Sequence, residues 1–520
     1  MSAFVAHSFS EAEFRRQLAK HAHDGDAAGL LAEKRHPAYL HDYLASIGVR
    51  TLVVETEYVD RDYLEDYSAY YVRSFQPYHR FCTRIHFFGD DLTQTQLDGI
   101  IDGTATSAAV RRFRESYCGF LVVRPLPQRI IGRTCIRTYE EGHRAGGRRF
   151  PVLVPYEAHL AGLTLGVPSV AYQEQDAGVA ACATSALWSA FQVTARRFGH
   201  AIMPPVAITR AATDRALPEG RVFPSPGLSL GEMCLACHAM SLEAEVVALQ
   251  GQREELLAGV IYSYVSGGLP VIMLVELVDR SNTKRQIGMH AVTICGMSLV
   301  AQRCGVLRSA RVDKVYAHDD QIGPFARMAI ERAVVQSRID QQTVERQVFT
   351  TSWGDSAGRS GTVDNVVAVP VFALVPVYHK IRVGAPAVIG EVMGLHKALG
   401  IIASVDPNRP DVPVEWDVAL TDVCQLKREW RSDGTLDVTR KGELLRRLLP
   451  RFMWRAKAVR RGRCMFEVLF DATDTCQGVL PAALAVHDQQ FTGALQDAVR
   501  RLMGRTRASL PPVVPWFANA

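Results

Sequence analysis

Apolar and polar positions alternate with short periods along this chain and predict many brief helices and strands. Residues 11–44 mix Ala, Leu, Arg and Glu and read as helical. Residues 50–57 form a β-branched run, and the tyrosine-rich stretch 58–78 predicts a helix followed by a turn. Residues 84–88 and 119–123 read as strands by their β-branched and aromatic content. Residues 92–101 and 107–116 read as helices, and the glycine-bearing polar stretch 137–149 as a loop or hairpin.

From Tyr172 to Gln192 the period turns helical. Val179, Ala183, Ala186, Leu187, Ala190 and Phe191 recur at three- and four-residue steps and form one apolar stripe, with Cys182 off it in the first turns. A loop follows at 218–227, then two helices at 230–249 and 253–265, the second capped by Gly267-Gly268. Pro270 opens an apolar strand over 271–278, and 279–286 is a polar turn. A strand begins at His290, and another over 312–317 ends in His318-Asp319-Asp320 and a turn at 321–324. Residues 350–365 are rich in Gly, Ser and Asp and mark a loop or boundary. Beyond it come a β-like run at 366–377, a helix at 385–399, a strand starting at Trp416 and a short helix at 443–449. A strand at 463–470 and an amphipathic helix at 489–503 close the series. No repeat or low-complexity tract interrupts this pattern. It predicts an α+β protein in three units: 1–150, which carries no chemical motif, 151–350, and 366–520.

Composition narrows the class. The chain has 520 residues, 48% of them hydrophobic, and a net charge of +5, too mild to argue for nucleic acid or an anionic membrane. No apolar run is long enough to span a bilayer, and no basic-then-apolar leader is visible. The 11 cysteines are odd in number and scattered, which favours reduced thiols in the cytoplasm over a disulfide scaffold.

Candidate chemistry centres on Cys182. A thiol near a helix N-terminus meets the positive end of the helix dipole, and Ala180, Ala181 and Ala183 leave room for a substrate to approach. A cysteine nucleophile needs a base, and the base needs a partner that fixes its orientation. His290 and Asp319 stand at the ends of two consecutive strands that an antiparallel pairing can place side by side. Gln175, seven positions before Cys182, and the backbone N–H of Cys182 can supply oxyanion donors.

Three segments carry a family resemblance: Gln-Asp-Ala-Gly-Val-Ala-Ala-Cys-Ala-Thr-Ser-Ala-Leu, Gly-Leu-Pro-Val-Ile ahead of His-Ala-Val-Thr-Ile-Cys-Gly, and Tyr-Ala-His-Asp-Asp-Gln-Ile-Gly-Pro. Over residues 165–330 the chain resembles the papain-like cysteine peptidases, closest in style to the branch that processes bacteriocin leaders at double-glycine sites. The resemblance implies a papain-like core, a nucleophile helix packed on an antiparallel sheet, with α+β extensions at both ends. It implies Cys182 as nucleophile, His290 as base, Asp319 as its orienter and Gln175 as oxyanion donor, with no cofactor and no metal. The chain departs from the pattern at three points. Ala183 replaces the usual glycine after the cysteine. Gln175 stands one position farther out, so Gln173 or Asp176 competes for its role. The aspartate is doubled, so Asp320 competes with Asp319.

The expected activity is cleavage of an amide or isopeptide bond in a protein or peptide substrate. The alternatives are a transglutaminase-like acyl transfer to an amine, or a peptide- or nucleic-acid-binding member of the fold that lacks catalysis. For the last, the basic run containing Arg446, Arg447, Arg451 and Arg455, with Phe452 and Trp454 interleaved, is the candidate surface. A solvated face, or a dock for an acidic partner, is the simpler reading of that run. The flanking regions offer places for a protein partner. Cys234-x-x-Cys237-His238 matches a haem-attachment spacing, but it lies on a helical pattern with no second ligand pair, and a structural role is the simpler reading.

Overall fold

The computed structural model describes residues 4–22, 34–127, 129–140, 147–176, 178–214, 222–251, 254–279, 286–301, 305–337, 341–351, 366–405, 414–476, 478–504 and 510–520. Within them the chain is mixed α+β, and the named strands pair only antiparallel, in three sheets and one hairpin.

The first sheet runs in chain order: β1 (Phe4–Ser8), β2 (Thr51–Tyr58), β3 (Cys82–Phe88), β4 (Tyr117–Val123) and β5 (Ile131–Ile136). Among these strands stand α1 (Glu11–His21), α2 (Arg35–Ser46), α3 (Arg61–Ala69), α4 (Gln94–Ile101) and α5 (Ser107–Glu115). Ser10, Asp60, Thr93 and Thr106 start four of these helices by accepting the N–H three residues on. β3 and β4 are buried along their whole length, β4 as an apolar run and β3 with Thr83, Arg84 and His86 among its buried side chains.

The central sheet contains β9 (Leu242–Ala248), β10 (Val271–Asp279), β11 (Gln286–Leu299), β12 (Val312–Asp319), β13 (Gly323–Gln336), β14 (Thr343–Thr351) and β15 (Val366–Tyr378). β6 (Arg148–Arg149) adds to β11, and β7 (Val154–Leu160) with β8 (Leu163–Ser169) forms a separate hairpin. Strands β10 to β15 pair in sequence, and β15 pairs back onto β10, so six strands close a ring with β9 on its outer side at β15. Against it lies α6 (Cys182–Phe198), whose residues from Ala183 to Ala195 are all buried. The stripe expected on one face is therefore only part of what α6 buries. Beside α6 stand α7 (Pro205–Thr213) and α8 (Leu230–Ala239), while α9 (Glu255–Ser266) packs on β10, β11 and β15.

The last sheet has the order β16 (Glu415–Asp422), β17 (Phe452–Arg460), β18 (Arg463–Asp471), β19 (Pro481–Val486). Its helices are α10 (Ala385–Val405), α11 (Val423–Ser432), α12 (Val438–Arg446), α13 (Gln489–Met503) and α14 (Val513–Asn519). One apolar core joins Leu52 and Val123 of the first sheet, Met273 and Val375 of the ring, and Trp416 and Phe466 of the last sheet.

Several sequence expectations are corrected. The helix expected over 230–249 stops at Ala239; Ser241 takes a left-handed φ of 58°, and Leu242–Ala248 becomes a strand because it pairs with β15. The unit boundary expected at 366 cuts the ring, since β15 bonds to β10, β9 and β14. Phe4–Ser8 is a strand ahead of the first helix, and Gly323–Gln336 pairs with Thr343–Thr351 as two long strands, where no local pattern predicts an element over most of their length. The boundary segment expected at 350–365 lies mostly outside the described residues, as do most of the turn expected at 279–286 and part of the loop expected at 218–227.

Candidate active site

Helix α6 begins at Cys182 itself, with Ala181 as its N-cap, so the thiol stands on the first helical residue. Val179 and Ala180, expected inside the helix, lie in the preceding loop. Asp176 builds that loop: its Oδ1 accepts the N–H groups of Gly178, Val179 and Ala180 at 2.8, 2.6 and 3.0 Å. Asp176 is thus committed as an acceptor, which removes it as a competitor for the oxyanion role. Thr209 donates to the carbonyl of Val179 at 2.7 Å and shares a hydrogen bond with Thr184, tying loop and helix to α7.

His290 lies on β11, three residues before Thr293, whose hydroxyl donates to the carbonyl of Ala186 at 2.8 Å. Ala186 is one helical turn beyond Cys182, so this bond sets α6 against β11 close to the reactive groups. The Cys182 side chain is near enough to His290 to help raise the pKa of the imidazole. On the next strand the Asp319 carboxylate bonds to His290 Nε2 at 2.9 Å, while Asp320 Oδ1 is 3.6 Å from the same nitrogen. Asp319 is therefore the nearer of the two carboxylates to the imidazole. With Nε2 engaged, Nδ1 is the nitrogen left for the thiol. Burial alone would press the His290 pKa down, but Asp319, Cys182 and Asp320 hold it well above the ordinary value. Burial lifts Asp320 to about 7, reinforced by Asp319 and Glu174.

Gln175 is half-buried, as Cys182 is, whereas Gln173 is buried and its amide nitrogen is enclosed without a partner among the described residues. The structure thus brings Cys182, His290 and Asp319 together, with Gln175 on the loop that leads to Cys182.

No local pattern marks the groups that brace this site from the first 150 residues. Tyr172 pairs with Thr134 of β5, and Glu174 receives backbone and side-chain bonds from Ile131, Lys34, Arg129 and Arg124. His36 bonds to the carbonyl of Asp320 at 2.7 Å, and the Tyr39 hydroxyl donates to the carbonyl of Pro324 at 2.7 Å. Both side chains are on α2 and reach a turn some 280 residues away along the chain, beyond any local pattern.

The basic run is split. Arg446 and Arg447 are exposed at the end of α12, and Arg451 lies over the rings of Tyr378 and Phe452. Arg455 is buried and paired with Glu467 and Glu429, so it cannot serve as a phosphate contact. Cys237 is buried and Cys234 half-buried on α8, both as free thiols. No helix among the described residues is long and apolar enough to cross a membrane. Compared with known proteins, the chain matches no family model and no curated sequence.

Proposed function

We propose that the chain is a papain-like thiol hydrolase acting on an amide or isopeptide bond of a protein or peptide. The observation that supports this best is the convergence of a helix-N-terminal thiol, a buried imidazole and a buried carboxylate from three separate elements. In the proposed reaction the Cys182 sulfur attacks the carbonyl carbon while His290 holds the thiol proton. The N–H of Cys182, one of the unpaired donors of the first helical turn, and the Gln175 amide take the oxyanion. His290 then hands its proton to the leaving amine, and water attacks the thioester with His290 as base. Gln175 suits the donor role better than Gln173, because a donor to substrate must stand at the open side with the thiol.

Iodoacetamide tests the nucleophile. Cys182 should alkylate at least 10-fold faster at neutral pH than any other thiol, and Cys182→Ala should remove that fast phase. Alkylation of Cys182 at the rate of the exposed Cys424 would sink the reading. Product analysis with an added primary amine separates hydrolysis from acyl transfer.

A further inference from the structure

The triad uses one carboxylate, yet two stand at the ring. Asp319 is fully enclosed and Asp320 only 4% exposed. Asp319 Oδ2 and both carboxylate oxygens of Asp320 are enclosed without a hydrogen-bond partner among the described residues. Orphaned oxygens at a buried site are costly, and they call for a proton, a water or a cation. The buried Tyr172 hydroxyl, also without a partner, is within electrostatic reach of both aspartates.

The geometry favours a cation. One nitrogen of His290 and one oxygen from each aspartate lie within 4.8 Å of one another. Two donors bound to a tetrahedral zinc ion at about 2.0–2.2 Å stand about 3.4 Å apart. The separations from His290 Nε2, 2.9 Å to Asp319 and 3.6 Å to Asp320, straddle that value. One imidazole and two carboxylates suit zinc, whereas magnesium demands octahedral oxygen and several waters.

We propose that His290, Asp319 and Asp320 form a zinc site, with water as the fourth ligand, and that zinc bound there switches the thiol off. Zinc bonds to Nε2, and the proton that this nitrogen held passes through solvent to Nδ1. The neutral ring then carries its one proton on Nδ1 and cannot accept the proton of Cys182. Zinc binding stands by itself; the switching rests on the thiol-hydrolase reading.

The test uses the full chain freed of metal with a chelator. Calorimetric titration with zinc chloride should show a site that is at least 10-fold weaker in Asp320→Asn and unchanged in Cys464→Ala. The second variant removes a ligand of the other potential cluster, Cys464, Glu467 and His487. One equivalent of zinc should slow alkylation of wild-type Cys182 at least 10-fold, and chelator should restore it. Absence of stoichiometric binding overturns the proposal, and so does affinity that falls in Cys464→Ala but not in Asp320→Asn. Binding at this site that leaves alkylation as fast as before overturns the switch. If Cys182 is slow without metal, the hydrolase reading fails, and the titration still decides the zinc site.

Discussion

Gly323 closes the turn that carries Asp319, and its replacement gives the sharpest test of how that acid is held. Its φ is +149°, and a Cβ built there would meet Cδ1 and Cε1 of Tyr39 at 2.4 and 2.6 Å, far inside normal contact. Gly323→Ala therefore carries two costs. The backbone conformation costs about 1–3 kcal/mol for a side chain. Pushing the ring aside forfeits its hydroxyl bond to Pro324, 2.7 Å long, at about 1 kcal/mol, plus the packing of the ring. The total is about 2–5 kcal/mol. In a Tyr39→Ala background the ring is gone and only the backbone cost remains, so the two substitutions should couple by about 1–2 kcal/mol in a double-mutant cycle. Urea unfolding supplies the free energies. Alkylation of Cys182 supplies the functional readout and should slow at least 10-fold in Gly323→Ala as Asp319 shifts away from His290. Equal destabilisation by Gly323→Ala in both backgrounds would refute the contact and the bracing role given to α2.

Three further predictions concern single groups. Asp319→Asn should slow Cys182 alkylation by about 10²-fold or more, and Asp320→Asn by much less, because 2.9 Å against 3.6 Å decides which acid holds the ring; the reverse order would reassign the orienter. Thr293→Val keeps shape but loses the bond to Ala186, so it should cost about 1 kcal/mol in urea unfolding and slow alkylation several-fold; an unchanged rate would show that this bond does not set the thiol–imidazole approach. Glu467 is held down at about 2 despite burial, by bonds from His487 and Arg455. Its pKa is depressed on folding, so its contribution is present above the unfolded value near 4.5 and is lost as pH falls towards 2. That contribution is about 3 kcal/mol, and unfolding free energies of Glu467→Gln should fall less steeply between pH 5 and 2 than those of the wild type. Matching slopes would remove Glu467 as the source.

The reactive groups were legible because each has a local signature. A small-residue helix start flags Cys182, an apolar strand flags His290, and a strand running into a Gly-Pro turn flags Asp319. Antiparallel order then brings β11 and β12 together without further information. Other features depend on partners distant in sequence. Leu242–Ala248 has weak alternation and becomes a strand only because β15 offers an edge. Arg455 reads as one cation in a basic run. It is buried because the register Lys457↔Glu467 puts Glu467 diagonally across from it on the same face. The true start of α6 was missed for a different reason. Val179 fits the stripe, but the Asp176 carboxylate satisfies the N–H groups of Gly178 to Ala180 and ends the loop at Ala181.

Most telling is where the bracing comes from. The strand that carries Gln173 and Gln175 continues the first sheet through Thr134 and Ile131, and the turn that carries Asp319 is bonded by His36 and Tyr39 of α2. Glu174 joins the two, since Lys34, two residues before His36, bonds to its carboxylate at 3.0 Å. The segment that carries Gln173 and Gln175 and the turn that carries Asp319 thus share one support. Between the buried Gln173 and the half-buried Gln175, the buried Glu174 serves as the peg. Side chains of this kind leave no motif, because their value lies only in a distance to a partner that the chain reaches much later. Candidate groups can be read from periodicity and spacing, whereas what holds them in place has to be read from coordinates.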